Sequence, residues 1–223
     1  MSVNTFEETG QAWVRAALNQ ESLDLIADWA GRTDRPGQRI TASIPDAAAK
    51  VLTTLVDRFL SGAVLTRAVA FNKSGATNWS LPWHQDRVIA VAERCDVDGF
   101  HNWTLKDGIW HCEPPIEILQ QMVFARLHLD AAQQDNGCME IAPGSHRLGL
   151  ISAKDAPEVA AKLGTELSLA SAGDLQILKM LTLHRSRPAR QPTPRRAVRL
   201  DFVKMPLRAG FEPAFFKPCG GAN

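Results

Sequence analysis

The chain has 223 residues, 45% of them apolar, which suits a single β-rich domain with added helices and one sizeable core. Lysine and arginine number 25 against 24 acids, a net charge of +1, so no overall field draws the protein to nucleic acid or to a membrane surface. Four cysteines, at 95, 112, 138 and 219, form no CxxC pair and no dense pattern, which argues against a disulfide framework and predicts reduced thiols in a cytoplasmic protein.

In chain order, Met1 to Gln20 carries Glu7 and Glu8 and no continuous apolar run, so neither a signal peptide nor a membrane span is expected there. Gln11 to Ala17 reads as a short strand. Gln20-Glu21-Ser22 opens a helix through Ala30, with Leu23, Ile26 and Trp29 at helical spacing. A second helix runs from about Ile44 to Leu60, with Asp46 near its start. After it the texture changes to short β-prone runs: 64–71, 88–92, 123–130, 138–142, 166–169, 175–183 and 197–204. Clusters of Gly, Pro, Asn and Asp separate them, and one helix, about Ala153 to Leu163, interrupts them. The segment Asp96 to Pro115 has little regular pattern and is expected to be a binding loop that sets substrate choice. There is no repeat and no linker, so one domain is predicted: a mostly helical part at 1–62, a β core at 63–205 and a tail at 206–223, polar and mobile from Lys217. So few helices among the strands disfavour a parallel βαβ sheet and favour a sandwich or jelly roll.

The chemistry concentrates in His84-Gln85-Asp86 and a lone His184, followed eleven residues later by Arg195. Residues i and i+2 of a strand share a face, so His84 and Asp86 can reach one ion while Gln85 points away. Two imidazoles and a carboxylate suit Fe(II) and leave other coordination positions open. The third ligand has five candidates, His101, His111, His128, His146 and His184. His184, at the end of the apolar stretch Leu175 to Leu183, is sterically reasonable. Alone, HxD is a common chance pattern.

Three runs in order add context: Asn78-Trp-Ser-Leu-Pro-Trp-His-Gln-Asp86, then Leu127-His-Leu-Asp130 leading into Asn136-Gly-Cys-Met-Glu-Ile-Ala-Pro-Gly-Ser-His146, then His184-Arg-Ser-Arg-Pro through Arg195-Arg196. Together they resemble the phytanoyl-CoA dioxygenase-like family of Fe(II)/2-oxoglutarate oxygenases, in particular a bacterial branch with a PWHQD signature. The resemblance spans roughly residues 64 to 204. It implies a mainly β fold, a double-stranded β-helix (a cupin-like jelly roll) with flanking N-terminal helices. It implies His84, Asp86 and His184 as iron ligands, Arg195 and Ser186 on the C5 carboxylate of 2-oxoglutarate, and Asn72 near that cosubstrate. O2 would be the second cosubstrate and a small molecule the substrate. With the carboxylate ligand present, hydroxylation or a related desaturation or ring closure is expected, not halogenation.

Other marked residues divide less sharply. Asn136-Gly137 and Pro143-Gly144 read as turns, and His146 as a surface or loop-capping residue. Arg126, in a β-prone run, either binds substrate or faces out. Of the tryptophans, Trp83 reads as core and Trp103 as a pocket residue. Six arginines between 185 and 199 suggest a phosphate-rich ligand, but Arg195 buried with the others solvated or balanced fits the near-neutral total better. The alternative enzyme is a cupin-like metalloprotein that does not use 2-oxoglutarate, which would have no need of Arg195. A non-catalytic jelly-roll binding protein is a third class.

Overall fold

The computed structural model describes residues 3–31, 35–95 and 97–204, together with Glu212 and Ala214. In chain order, helix α1 (Val3–Thr9) leads into β1 (Gln11–Val14), α2 (Gln20–Ala30), β2 (Gly37–Arg39) and α3 (Asp46–Asp57). Strands β3 (Ala63–Lys73), β4 (Leu81–His84), β5 (Ile89–Val91), β6 (His101–Lys106) and β7 (Ile109–Glu113) follow, then a single helical turn, α4 (Ile116–Leu119). The rest comprises β8 (Met122–His128), β9 (Met139–Ile141), α5 (Ala156–Leu163), β10 (Glu166–Leu167), β11 (Leu175–Lys179), β12 (His184–Ser186) and β13 (Arg195–Lys204).

A major sheet, ordered β1-β11-β8-β13-β3-β2, faces a minor sheet, β10-β9-β12-β4, and both are antiparallel. This is the expected jelly roll. The helices cover the outer face of the major sheet. Asn19 caps α2 by accepting from the Ser22 amide at 2.9 Å, and Gly31 ends it at φ 67°. Leu23 and Ile26 of α2, and Ala48, Leu52 and Val56 of α3, are buried against Val123, Ala125 and Leu127 of β8 and Val198 and Leu200 of β13. Helix α5 closes the outer face of the minor sheet over Trp83, Ala142 and Leu183, so Trp83 is core as expected.

Two expectations need correction. The apolar run 175–183 is not one strand: β11 stops at Lys179, a turn intervenes, and His184 opens β12 in the opposite sheet. With no Gly or Pro in the run, local chemistry does not mark that crossing. The segment 96–115 is not patternless: β6 and β7 form a hairpin that joins β5 in a third, three-stranded sheet. Its signal was present, because Asp107 and Gly108 both take positive φ (51° and 77°), the two-residue turn that Asp-Gly favours. Of the tail, only Glu212 and Ala214 are described; they hydrogen-bond Ala92 and Ala90, and Lys217 onward lies outside the described residues.

Candidate metal centre

The pairing of β12 with β4 sets His184 directly opposite His84, with ring centroids 4.3 Å apart. Asp86, just past the end of β4, brings Oδ2 within 3.1 Å of His184 Nε2. One potential ligand atom from each of the three lies within 4.8 Å of the others, and among the described residues this is the one such cluster of His, Cys, Asp or Glu.

The backbone orients both rings. His84 Nδ1 lies 2.8 Å from the Pro82 carbonyl and His184 Nδ1 lies 2.9 Å from the Thr182 carbonyl. A carbonyl only accepts, so each Nδ1 carries the hydrogen and each Nε2 keeps its lone pair for the cluster. Burial and the neighbouring His184 lower the basicity of His84, which favours the neutral, ligating form. Burial alone would raise Asp86, but Arg199 and His184 hold it well below the ordinary carboxylate value, so it is ionised. Two imidazoles and an anionic carboxylate fit Fe(II).

An alternating chain of charge braces Asp86. Arg199 Nη1 donates to Asp86, Arg199 Nε donates to Asp201 at 2.6 Å, and Arg67 meets the other oxygen of Asp201 at 2.6 Å. The Arg199 guanidinium also lies 4.1 Å from the centre of the Phe124 ring. Sequence reasoning grouped Arg199 with arginines that are solvated or balanced by acids, and here it is buried and balanced; Arg67 and Asp201 were not singled out. Period-two alternation along β13 was the available signal, since Arg195, Arg199 and Asp201 share a face with one another and not with Val198 and Leu200.

Deeper on that inner face, Arg195 is 1% exposed, and its Nε and Nη1 have no hydrogen-bond partner. A buried guanidinium without a partner is costly, and a ligand carboxylate satisfies it, so the residues present fit 2-oxoglutarate. Lys73 stands opposite Arg195 in the β3–β13 register, fully buried, and donates to Ser186 Oγ at 2.8 Å and to the Arg187 carbonyl at 2.6 Å. Burial, then the charges of Arg195 and Arg126, push its ammonium down to about 7. Gly137 closes this cradle: its φ is 74°, and a Cβ there would meet Lys73 at 3.0 Å and the Arg187 carbonyl at 2.9 Å. Asn136-Gly137 is thus a turn, as expected, and it also packs closely on Lys73.

The structure does not bring Asn72 together with Arg195. Asn72 pairs with Arg196 in the register, and the pleat turns it away from the face shared by Lys73 and Arg195. It borders a separate groove with Arg196 and Thr77. Trp103 also lies elsewhere, edge-on to Trp110 at 6.4 Å in the β5-β7-β6 sheet. Trp79 takes the pocket role, lining a cavity of about 230 Å³ that reaches His84, Asp86 and His184. Arg126 faces inward and lines the same cavity. His146 caps a loop, its Nε2 3.1 Å from the Glu7 carbonyl. Arg185 and Arg187 pair with Glu140, and Arg196 with Asp130.

A jelly roll carrying this donor set, with a buried and partly unpartnered guanidinium on the same inner face, matches a class: the non-haem Fe(II), 2-oxoglutarate-dependent oxygenases. The phytanoyl-CoA dioxygenase (PhyH) family model matches residues 6–197, and the chain belongs to that family. The fold is also that of solved structures of low sequence identity. AviO1 from Streptomyces viridochromogenes Tue57 aligns at 19% identity and TM-score 0.65, covering 96% of each chain. EctD from S. alaskensis, solved with 2-oxoglutarate and 5-hydroxyectoine, aligns at 16% identity and TM-score 0.62, covering 91% of this chain and 74% of that one. The non-haem α-ketoglutarate-dependent epimerase SnoN from nogalamycin biosynthesis aligns at 14% identity and TM-score 0.60, covering 91% and 81%. No curated protein sequence matches the chain significantly. No helix among the described residues is long and apolar enough to cross a membrane.

Proposed function

We propose that the protein hydroxylates a C–H bond of a small molecule, with His84, Asp86 and His184 holding Fe(II) and with release of succinate and CO2. The observation that carries the cosubstrate assignment is Arg195, buried with Nε and Nη1 unpartnered on the inner face of β13. The bound iron and 2-oxoglutarate supply the activation of O2 and the oxidising equivalents.

The chain's own residues supply position and charge. Arg195 receives the C5 carboxylate in the fork geometry that guanidinium and carboxylate share. Lys73 donates to Ser186 Oγ and adds a second cation beside the same carboxylate. Asp86, with Arg199 on one oxygen, keeps the other free for the metal. The carbonyls of Pro82 and Thr182 hold the imidazoles in the ligating tautomer. Phe71, Trp79 and Leu81 form an apolar wall beside the centre, against which the substrate is oriented and water excluded. Retention of a carboxylate ligand at 86 leaves no room for a halide, which supports oxygen insertion. EctD, solved with a hydroxylated compound, shares the fold, as do the epimerase SnoN and the carbocyclase SnoK, so the fold alone does not choose the outcome.

The test is anaerobic titration of the metal-free protein with Fe(II) and then 2-oxoglutarate. A weak visible charge-transfer band is expected for the wild type and lost in Arg195→Ala at the same cosubstrate concentration. Tight binding of metal with no response to 2-oxoglutarate would instead establish the cupin-like enzyme that works without it.

A further inference from the structure

Five arginines line the cavity beside the three candidate ligands: Arg39, Arg67, Arg126, Arg185 and Arg199. Four of them have carboxylate partners. Arg39 meets Asp107 at 3.4 Å, Arg67 meets Asp201 at 2.6 Å, Arg185 meets Glu140 at 2.8 Å, and Arg199 bridges Asp201 and Asp86. Arg126 has none among the described residues. It is 5% exposed, its Nε has no hydrogen-bond partner, and its guanidinium lies 5.3 Å from the centre of the Phe71 ring on the cavity wall. A cation so deeply buried is costly unless an anion comes to it.

Charge accounting separates the two possible sources of that anion. On the reading above, 2-oxoglutarate brings two carboxylates. The C5 carboxylate meets Arg195, and the C1 carboxylate joins Asp86 in balancing the two charges of Fe(II). Asp201 alone is left to serve both Arg67 and Arg199. The interior therefore keeps a positive excess with the cosubstrate loaded, before Arg126 is counted. Position agrees. Arg126 lines this cavity, standing opposite Arg199 in the β8–β13 register with Phe71 beside it, whereas of the cradle residues Ser186 reaches the cavity and Arg195 and Lys73 do not.

We propose that the substrate is a compact organic acid whose carboxylate pairs with Arg126, its carbon skeleton resting on Phe71, Trp79 and Leu81. The pair would form in a dry pocket, where a charge-assisted bidentate hydrogen bond discriminates strongly against a neutral analogue. This inference rests on the oxygenase reading, and its test separates the two. The full-length protein is loaded anaerobically with Fe(II) and 2-oxoglutarate and titrated calorimetrically with matched pairs of short-chain acids and their carboxamides (hexanoate and hexanamide, benzoate and benzamide).

The expected result is that at least one acid binds about tenfold or more tightly than its carboxamide, a preference of about 1.4 kcal/mol. Arg126→Gln abolishes that preference and Arg126→Lys keeps part of it. In Arg126→Gln, 2-oxoglutarate binding stays within about threefold of wild type, too small a change for loss of a charged hydrogen-bond partner. No preference in the wild type, or one that survives in Arg126→Gln, overturns the proposal. So does a loss of about tenfold or more in 2-oxoglutarate affinity, which would assign Arg126 to the cosubstrate and leave the oxygenase reading intact. Failure of the wild type to bind Fe(II) and 2-oxoglutarate overturns both.

Discussion

The two faces of the major sheet are built from the same strands and behave as different materials. Along β8, Val123, Ala125 and Leu127 point under the helices, while Phe124, Arg126 and His128 point into the barrel. Along β13, Val198 and Leu200 join the first set, and Arg195, Arg199 and Asp201 join the second. Every one of these residues is buried, so burial does not distinguish them. Satisfaction does. The outer face is closed by apolar packing that needs nothing further. The inner face leaves buried donors open at Arg126, His128 and Arg195. Stability resides on the first face and binding capacity on the second.

That contrast is most open to attack at the ligands. His184→Ala or Asp86→Ala should abolish retention of one equivalent of Fe(II), read by metal analysis after desalting, while His146→Ala retains it. An Asp86→Ala protein that still held iron would remove the metal assignment.

Arg195→Gln comes next. It should weaken 2-oxoglutarate binding about 100-fold, the cost of a charged hydrogen-bonding partner. It should leave the thermal midpoint of the metal-free protein unchanged or raised, because it deletes a buried charge whose Nε and Nη1 have no hydrogen-bond partner among the described residues. A large fall in that midpoint would make Arg195 a structural residue. Leu200→Ala is the mirror experiment on the outer face. It should cost about 2–5 kcal/mol in denaturant unfolding, with metal and cosubstrate affinity kept in the folded fraction.

Asp201→Asn tests the brace behind Asp86. Losing the carboxylate shared by Arg199 and Arg67 should lower Fe(II) affinity about 10–100-fold, measured by competition with a chelator. The smallest expected effect is the pH response of Lys73. Its ammonium is lowered from 10.5 to about 7, so between those values the unfolded chain binds a proton that the folded one does not. This group therefore makes the stability of the free protein rise with pH from about 7 to 10.5. Binding of the 2-oxoglutarate dianion favours the protonated lysine, so its affinity should fall as pH rises above about 7, by at most about tenfold per unit. Lys73→Met should flatten that profile, and calorimetry at several pH values would show whether it does.

Much of the site was legible in the chain because it is local or motif-like. His84 and Asp86 are two residues apart, and the runs around them, around Asn136 and around His184 resemble one family in order and spacing. The misses share a cause. Asn72 and Lys73 are adjacent, and only the register with Arg195 and Arg196 decides which shares a face with Arg195. Trp103 stood near the metal motif in sequence, but its hairpin joins another sheet. His184 was placed at the end of a strand that in fact stops five residues earlier.

Composition and pattern by themselves pointed to a β-rich domain with added helices, and the motifs, through the family they resemble, to a two-histidine, one-carboxylate centre and to Arg195. The tertiary structure alone decided which arginines have acids and which do not. Ion pairs such as Arg67 with Asp201, or Arg199 with Asp86, join residues more than a hundred positions apart, and no local pattern encodes them. The same long-range pairing left Arg126 in the cavity wall with no carboxylate partner among the described residues and its Nε unpaired, because satisfaction of a buried charge is a property of its neighbours in space.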